Sequence, residues 1–245
     1  MTRNTLRKPD SFFSAAGEII TPVIILWLSV LGATVAVMGA AGLITGAGSL
    51  DADALLAACP QLPLISSSCG YVLALAALRR TVRYDELRFG RTIPPSPAQG
   101  GWTAGRCAVY AAAVSLAGCL WSRLLLQSGL PDIFTGYSGQ ASASFSGQFP
   151  VLLFISYVLL GPAAEEFAFR CCVFRRLRAH MSLYPSILIS SVLFGIWHGN
   201  MVQFLYASVL GLLLAWGYEK SGRISVCLAA HVCANLLAFA YTVFL

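Results

Sequence analysis

The residues best suited to chemistry in this chain are two adjacent glutamates and an arginine, Glu165, Glu166 and Arg170. They interrupt an apolar stretch of helix length, where an ionisable side chain costs about 2.5–3.5 kcal/mol unless it faces a protein interior or a wet cavity. On a helix, Glu166 and Arg170 share a face at i, i+4, whereas Glu165 points elsewhere. The spacing therefore predicts that Arg170 neutralises Glu166 and leaves Glu165 free to act as a base. The structural alternative is an ion cluster that only orients helices or lies at a helix end among the headgroups.

Three further polar residues lie in apolar segments of the C-terminal part of the chain, His198, His231 and Asn235. His231 and Asn235 are four residues apart and project from one helical face. At 1.5 Å per residue, Glu165, His198 and His231 lie about 15, 20 and 12 Å from the basic ends of their helices. In a hydrocarbon core about 30 Å thick these depths are similar. The sequence thus predicts that the carboxylate and the two imidazoles converge.

This set of residues fits hydrolysis of an amide bond. A glutamate beside a neutral imidazole can deprotonate a water, and a second imidazole with an amide N–H can stabilise the resulting oxyanion. Alternatively, Glu165, His198 and His231 could bind a divalent metal such as zinc, whose bound water would be the nucleophile. Cys227 shares a helical face with His231 and is a further candidate ligand, although a packing role is the ordinary one for such a thiol. Both mechanisms remain open, while the absence of GxSxG and HExxH motifs disfavours a serine hydrolase or a zincin.

The composition is that of a membrane protein. Of the 245 residues 58% are hydrophobic and 11% are charged, and the mean hydropathy is +0.75. The formal net charge of +6 is concentrated at the ends of apolar segments, which indicates membrane topology and contact with lipid rather than binding to nucleic acid. We therefore predict an all-α, polytopic integral membrane bundle.

About seven transmembrane helices are predicted, with Pro60 and Pro63 breaking or kinking the first part of the second one. Lys and Arg are concentrated in alternate loops, above all in the predicted basic loop 79–101, which places the N-terminus in the cytoplasm. We expect one membrane domain in two parts, N-terminal helices with the basic loop (1–149) and catalytic core helices (150–245). The predicted spans are 20–44, 54–78, 102–126, 151 to the basic group at 175–178, 185–198, 201–218 and 224–245.

Three short motifs resemble those of the CAAX prenyl protease and bacteriocin-processing family, also called type II CAAX or Abi proteins. They are EExxxR at 165–170, FxxxH at 194–198 and HxxxN at 231–235. The resemblance covers about 151–245 and implies a helical intramembrane endopeptidase of the glutamate type, long argued to be a metalloprotease, with a cavity open to the cytosol. By position, it implies the following roles: water activation by Glu165 and His198, an oxyanion hole at His231 and Asn235, support from Glu166 and Arg170, and packing beside the site by Phe194.

The leading hypothesis is an intramembrane endopeptidase that acts on a lipidated or membrane-anchored protein or peptide. We expect it in a bacterial inner (cytoplasmic) membrane, because the chain is compact and has no separate soluble domain. An alternative of another class is a non-catalytic membrane protein that binds a peptide or confers bacteriocin immunity with the same polar cavity. A third is an ion or proton pathway, although no second acidic span supports it.

Overall fold

The computed structural model describes residues 12–45, 52–89, 101–134 and 149–244. In these parts of the chain all regular secondary structure is helical, and we number the helices in chain order. They are α1 (Phe12–Thr45), α2 (Ala52–Ala58), α3 (Leu62–Phe89), α4 (Ala104–Gln127), α5 (Leu130–Ile133), α6 (Pro150–His180), α7 (Leu183–Trp197), α8 (Met201–Ser221) and α9 (Ile224–Phe244).

Five of these helices are long and apolar enough to cross a membrane, α1, α3, α4, α6 and α8. Two shorter apolar helices accompany them, α7 with 15 residues and the segment Ile224–Ala240 of α9. The protein is therefore an integral membrane protein built as a polytopic helical bundle, which confirms the predicted fold class. The seven apolar helices occupy the regions where seven spans were predicted, whereas the division into parts at residue 150 stays a prediction.

In the second predicted span, 54–78, the break predicted at Pro60 is confirmed, whereas the predicted C-terminal end is wrong. The chain breaks after α2 at Cys59 and Pro60, and the long helix α3 begins only at Leu62. Helix α3 then continues to Phe89, so the first part of the predicted basic loop 79–101 is helical; the section 90–100 lies outside the described residues. Charged residues such as Arg are good helix formers, and their charge alone does not end a helix.

The extension of α3 is held by a buried ion pair. Asp85 accepts hydrogen bonds from both Nε and Nη2 of Arg176 in α6, at 2.9 and 3.0 Å. Arg176 also donates to the backbone carbonyl of Glu18 in α1. Two residues further along α6, Arg178 pairs with Glu219 of α8 at 3.1 Å. These contacts fasten α1, α3 and α8 to the basic end of α6.

Helix α6 lies at the centre of the bundle. It packs against α1 and α3, and also against α7 and α9, while α4 packs against α8 and α9. Its fully buried Phe169 belongs to a core that includes Leu26, Leu78 and Phe194. A second core surrounds Phe174. Because α6 is buried on several sides, its polar residues face protein rather than lipid.

The turn after α7 places two residues of the FxxxH motif inside the bundle. Helix α7 spans about 22 Å at 1.5 Å per residue, less than the thickness of the hydrocarbon core. The chain then reverses at Gly199, whose φ of 75° suits a residue without a Cβ, and Asn200 caps α8 by accepting from the Gln203 amide at 2.8 Å. Trp197 and His198 consequently lie at the end of a short apolar helix, next to the reversal of the chain.

Candidate active site

The glutamate pair lies in a local distortion of α6. Residues Gly161–Glu166 form an α-helical turn between two π-helical segments, Phe154–Leu160 and Phe167–Phe174. Wider π turns inside an α-helix occur frequently at functional sites, because they re-aim side chains. Here they flank both Glu165 and Glu166.

Glu166 and Arg170 form a completely buried ion pair, with Arg170 Nε 3.0 Å from Glu166 Oε2. Arg170 also donates from Nη1 to the Ser190 hydroxyl of α7 at 3.2 Å. Its guanidinium lies over the Phe194 ring, 5.0 Å from the centroid, which gives the buried cation a favourable aromatic contact. The pair therefore connects α6 to α7.

His231 on α9 lies between the two glutamates. Its Nδ1 is 3.0 Å from Glu166 Oε1, and its Nε2 is 3.7 Å from Glu165 Oε2. A carboxylate can only accept, so Nδ1 carries the proton of that hydrogen bond. In the neutral imidazole, the lone pair of Nε2 then faces Glu165. Glu166 thus sets the tautomer of His231, the arrangement that a carboxylate partner gives a working imidazole.

Glu165 is 7% exposed and is not paired with an arginine in the described structure. The indole Nε1 of Trp197 donates to Glu165 Oε1 at 3.2 Å, which leaves Oε2 on the side of His231. The contact fixes the orientation of the carboxylate. A group that is buried, oriented and without a cationic partner has the properties of a general base.

The Phe194 ring separates and orients the two imidazoles. It makes edge contacts with His198 and His231, at centroid distances of 5.0 and 5.6 Å. It also contacts Phe169 of α6 at 5.1 Å. The resemblance predicted that Phe194 packs beside the site, and the structure places its ring against both histidines.

His198 and Asn235 lie at the edge of this cluster. The Nδ1 of His198 donates to the Phe194 carbonyl at 2.9 Å, and in the described structure His198 makes no ion-pair contact with either glutamate. The Nδ2 of Asn235 donates to the Tyr157 carbonyl of α6 at 2.8 Å. Both residues are half-buried. The structure therefore brings His231, rather than His198, next to Glu165.

A metal site is not assembled by the described side chains. Within residues 12–45, 52–89, 101–134 and 149–244, no three His, Cys, Asp or Glu side chains lie together in a way that could hold an ion. The candidates Glu165, His198 and His231 include only one close contact, the 3.7 Å between Glu165 and His231. Cys227, four residues before His231, is buried. Its thiol donates to the backbone carbonyl of Arg223.

Comparison with known proteins finds a similarity in the region of the chain that contains the candidate site. A model of the family described as type II CAAX prenyl endopeptidase Rce1-like matches residues 147–237. Residues 147–237 are therefore similar to this Rce1-like family. The match contains all seven predicted site residues, whereas helices α1 to α5 lie outside it.

A Bacillus subtilis (strain 168) protein named "Putative membrane peptidase YdiL" is 34% identical over 86 residues. The match covers 35% of this chain and 35% of that protein, so the similarity spans about a third of the relative. No solved structure matches the chain.

Three residues that no sequence motif marked lie beside the candidate site in the structure. Trp197 contacts Glu165, and Ser190 contacts Arg170. The third residue is Tyr71 of α3, whose ring lies against Gly161, four residues before Glu165. The position of Trp197 next to His198 in the sequence was a usable signal for it. No local pattern marks Ser190 or Tyr71.

Proposed function

We propose that this protein is an intramembrane endopeptidase that hydrolyses a peptide bond with a water activated by Glu165. The observation that carries the proposal is the buried Glu165 carboxylate, oriented by Trp197 and facing an imidazole whose other nitrogen is held by Glu166. The similarity of residues 147–237 to the Rce1-like family supports this reaction class.

The geometry between Glu165 and His231 suits a bound water. Glu165 Oε2 and His231 Nε2 are 3.7 Å apart, so one water can lie about 2.8 Å from each at ordinary hydrogen-bond length. The carboxylate accepts a proton as the water oxygen attacks the carbonyl carbon of the substrate. It then returns that proton to the leaving amine nitrogen as the carbon–nitrogen bond breaks. In this scheme His231 shares the water that the resemblance assigned to Glu165 and His198.

The roles predicted for His198 and Asn235 are retained as proposals, whereas the oxyanion role predicted for His231 is replaced by contact with the water. With Nδ1 of His198 bonded to a backbone carbonyl, its Nε2 is the ring nitrogen left to meet water or substrate. Asn235 has a second amide hydrogen besides the one given to Tyr157, and this hydrogen is available to an oxyanion. Zinc bound by Glu165, His198 and His231 is the alternative mechanism, and it would require these side chains to come closer together than they are here.

The proposed substrate is a lipidated or membrane-anchored protein or peptide. The site is built on α6, α7 and α9 within the depth of the membrane, where a substrate confined to the bilayer would be concentrated. The basic end of α6 faces the cytoplasm in the proposed topology, so the cleaved bond would lie near that face. We place the protein in a bacterial inner membrane, where the positive-inside rule applies.

The test is a comparison of membrane-protein termini in cells that carry the wild-type protein or Glu165→Gln at matched abundance. The substitution keeps the size of the side chain and removes the base, so we expect a set of new termini in wild-type cells only. Glu219→Gln is the matched control, because it makes the same change at an ion pair with Arg178. We expect the control to give the wild-type termini.

The opposite outcome would favour the binding or immunity alternative. In that case the termini would be identical in wild-type and Glu165→Gln cells, and any peptide binding or immunity phenotype would persist in the variant. Flux of ions or protons through proteoliposomes that depended on Glu165 would instead support the pathway alternative.

A further inference from the structure

We propose that Tyr71 of α3 is a further catalytic residue, whose hydroxyl donates a hydrogen bond to the carbonyl oxygen of the scissile amide as it becomes an oxyanion. The inference rests on the proposed function. Tyr71 lies outside residues 147–237, so it is contributed by the part of the chain that the Rce1-like match does not cover.

The position of the Tyr71 ring is set by a glycine of α6. A Cβ built on Gly161 would lie 3.5 Å from Cε2 and 3.6 Å from Cζ of Tyr71, so the hydroxyl end of the phenol lies across this glycine. Gly161 and Glu165 are separated by four residues in an α-helical turn and so share one face. The phenol therefore lies one turn from the carboxylate proposed to activate water.

The Tyr71 hydroxyl is a donor without an acceptor inside the site. It interacts electrostatically with Glu165 and with Tyr157, yet no hydrogen bond joins it to another residue of the described ranges. The side chain is half-buried and packs against the apolar core that includes Phe169. The hydroxyl oxygen itself is not among the buried unpaired atoms of the described residues, so a substrate carbonyl can reach it.

Three ring N–H donors near Glu165 already have acceptors in the described structure. Trp197 donates to Glu165, His231 to Glu166 and His198 to a backbone carbonyl. Asn235 keeps a second amide hydrogen, so Tyr71 and Asn235 would together supply the two donors typical of an oxyanion hole. The phenol keeps its proton throughout: electrons of the carbonyl double bond move to oxygen on water attack and return when the amine leaves.

The experiment compares wild-type protein, Tyr71→Phe, Glu165→Gln and the control Tyr84→Phe in the assay of termini. Tyr84 is on the same helix and is 58% exposed, so its variant makes the same chemical change away from the site. We expect Tyr71→Phe to reduce the Glu165-dependent termini about 100- to 1,000-fold, as loss of one oxyanion donor does. Tyr84→Phe should leave them unchanged.

Two further measurements separate catalysis from structure. With the purified protein and a membrane-anchored segment containing a Glu165-dependent terminus, Tyr71→Phe should lower kcat and leave KM unchanged. Its thermal midpoint should not fall, because the hydroxyl that it removes has no hydrogen-bond partner among the described residues. A raised KM with unchanged kcat, or a clearly lower midpoint, would overturn the assignment.

The failures of the two proposals are distinguishable. If Glu165→Gln abolishes the termini and Tyr71→Phe leaves them at the wild-type level, Tyr71 is not an oxyanion donor and the endopeptidase stands. If the termini do not depend on Glu165, the proposed function fails and the role of Tyr71 fails with it.

Discussion

At the scale of single residues, the candidate site depends on one imidazole held between two carboxylates of different function. Glu166 is neutralised by Arg170 and orients His231, whereas Glu165 accepts a hydrogen bond from the neutral indole of Trp197. Glu165, Glu166 and Arg170 together carry a formal charge of −1, so the cluster retains one negative charge when His231 is neutral. That charge resides on the carboxylate proposed to take a proton from water.

Trp197 should matter for activity through one hydrogen bond. Trp197→Phe keeps an aromatic ring but removes the N–H that holds Glu165 Oε1, so the carboxylate loses its orientation. A hydrogen bond to a charged group is worth about 1.5–3 kcal/mol, and we expect kcat to fall roughly 10- to 100-fold.

The check on Trp197 is a kinetic comparison with Trp216→Phe. Trp216 is 39% exposed and lies under Lys220, so its substitution should leave kcat unchanged. Equal activities of Trp197→Phe and wild-type protein would show that the indole only fills space.

Arg170 should matter for stability more than any exposed arginine. Arg170→Met leaves Glu166 as an unpaired charge in a fully buried position, a change that costs about 3–5 kcal/mol. Thermal unfolding in detergent should show a much lower midpoint. Arg83→Met is the control, because Arg83 is exposed at the end of α3, and its effect should stay within about 0.5 kcal/mol. Similar losses for both variants would contradict the account of the buried pair.

At the scale of elements, the close approach of α7 to α8 positions the FxxxH motif. A Cβ on Gly195 would lie 2.1 Å from Ser208 Oγ and 2.8 Å from the backbone oxygen of Phe204. Gly195→Ala must therefore push the two helices apart, at a cost of about 1–3 kcal/mol for such overpacking. Since Trp197 and His198 follow directly, activity should fall together with the unfolding midpoint.

The matched control for Gly195 is Gly32→Ala in α1. Nothing lies within 4 Å of a Cβ at Gly32, and alanine is a better helix former than glycine by up to about 1 kcal/mol. Gly32→Ala should thus be neutral or slightly stabilising by thermal unfolding. A Gly195→Ala protein that is as stable and active as Gly32→Ala would refute the proposed packing constraint.

The contacts that could be predicted from the sequence are those that are local or that follow a known pattern. The ion pair between Glu166 and Arg170 is an i, i+4 contact on one helix, and the apolar runs define the bundle. The contacts of His231 with both glutamates join residues far apart in sequence, and only the packing of α9 on α6 decides which imidazole comes closest to Glu165. The contribution of Tyr71 depends on how α3 packs across Gly161, which no pattern in the chain encodes.

The end points of α3 show a second limit of pattern reading. Arginines at 79, 80 and 83 favoured a loop after the second span, because positive charge is typical of cytoplasmic loops. The structure continues the helix instead and buries Asp85 against Arg176. The run of arginines therefore supports the proposed cytoplasmic location of this segment, but it does not define where the helix ends.

At the scale of the whole molecule, the proposed topology can be tested without knowledge of the substrate. With seven crossings, the N-terminus lies in the cytoplasm and the C-terminus outside. A fluorescent protein that folds only in the cytoplasm should therefore be bright at the N-terminus, and alkaline phosphatase should be active at the C-terminus. The same phosphatase inserted in the section 90–100 of the full chain should be inactive. Phosphatase activity at that insertion would contradict the topology.

The central claim is that Glu165 activates the water that cleaves a peptide bond. Its most direct test is hydrolysis in water enriched with oxygen-18 by purified wild-type protein and Glu165→Gln in lipid vesicles, with a membrane-anchored substrate found through its Glu165-dependent terminus. The account predicts that the wild-type protein places the heavy oxygen in the new carboxyl terminus and that Glu165→Gln is at least about 1,000-fold slower, since positioned acid–base catalysis contributes about 10²–10⁴-fold. Equal rates for the two proteins would contradict it.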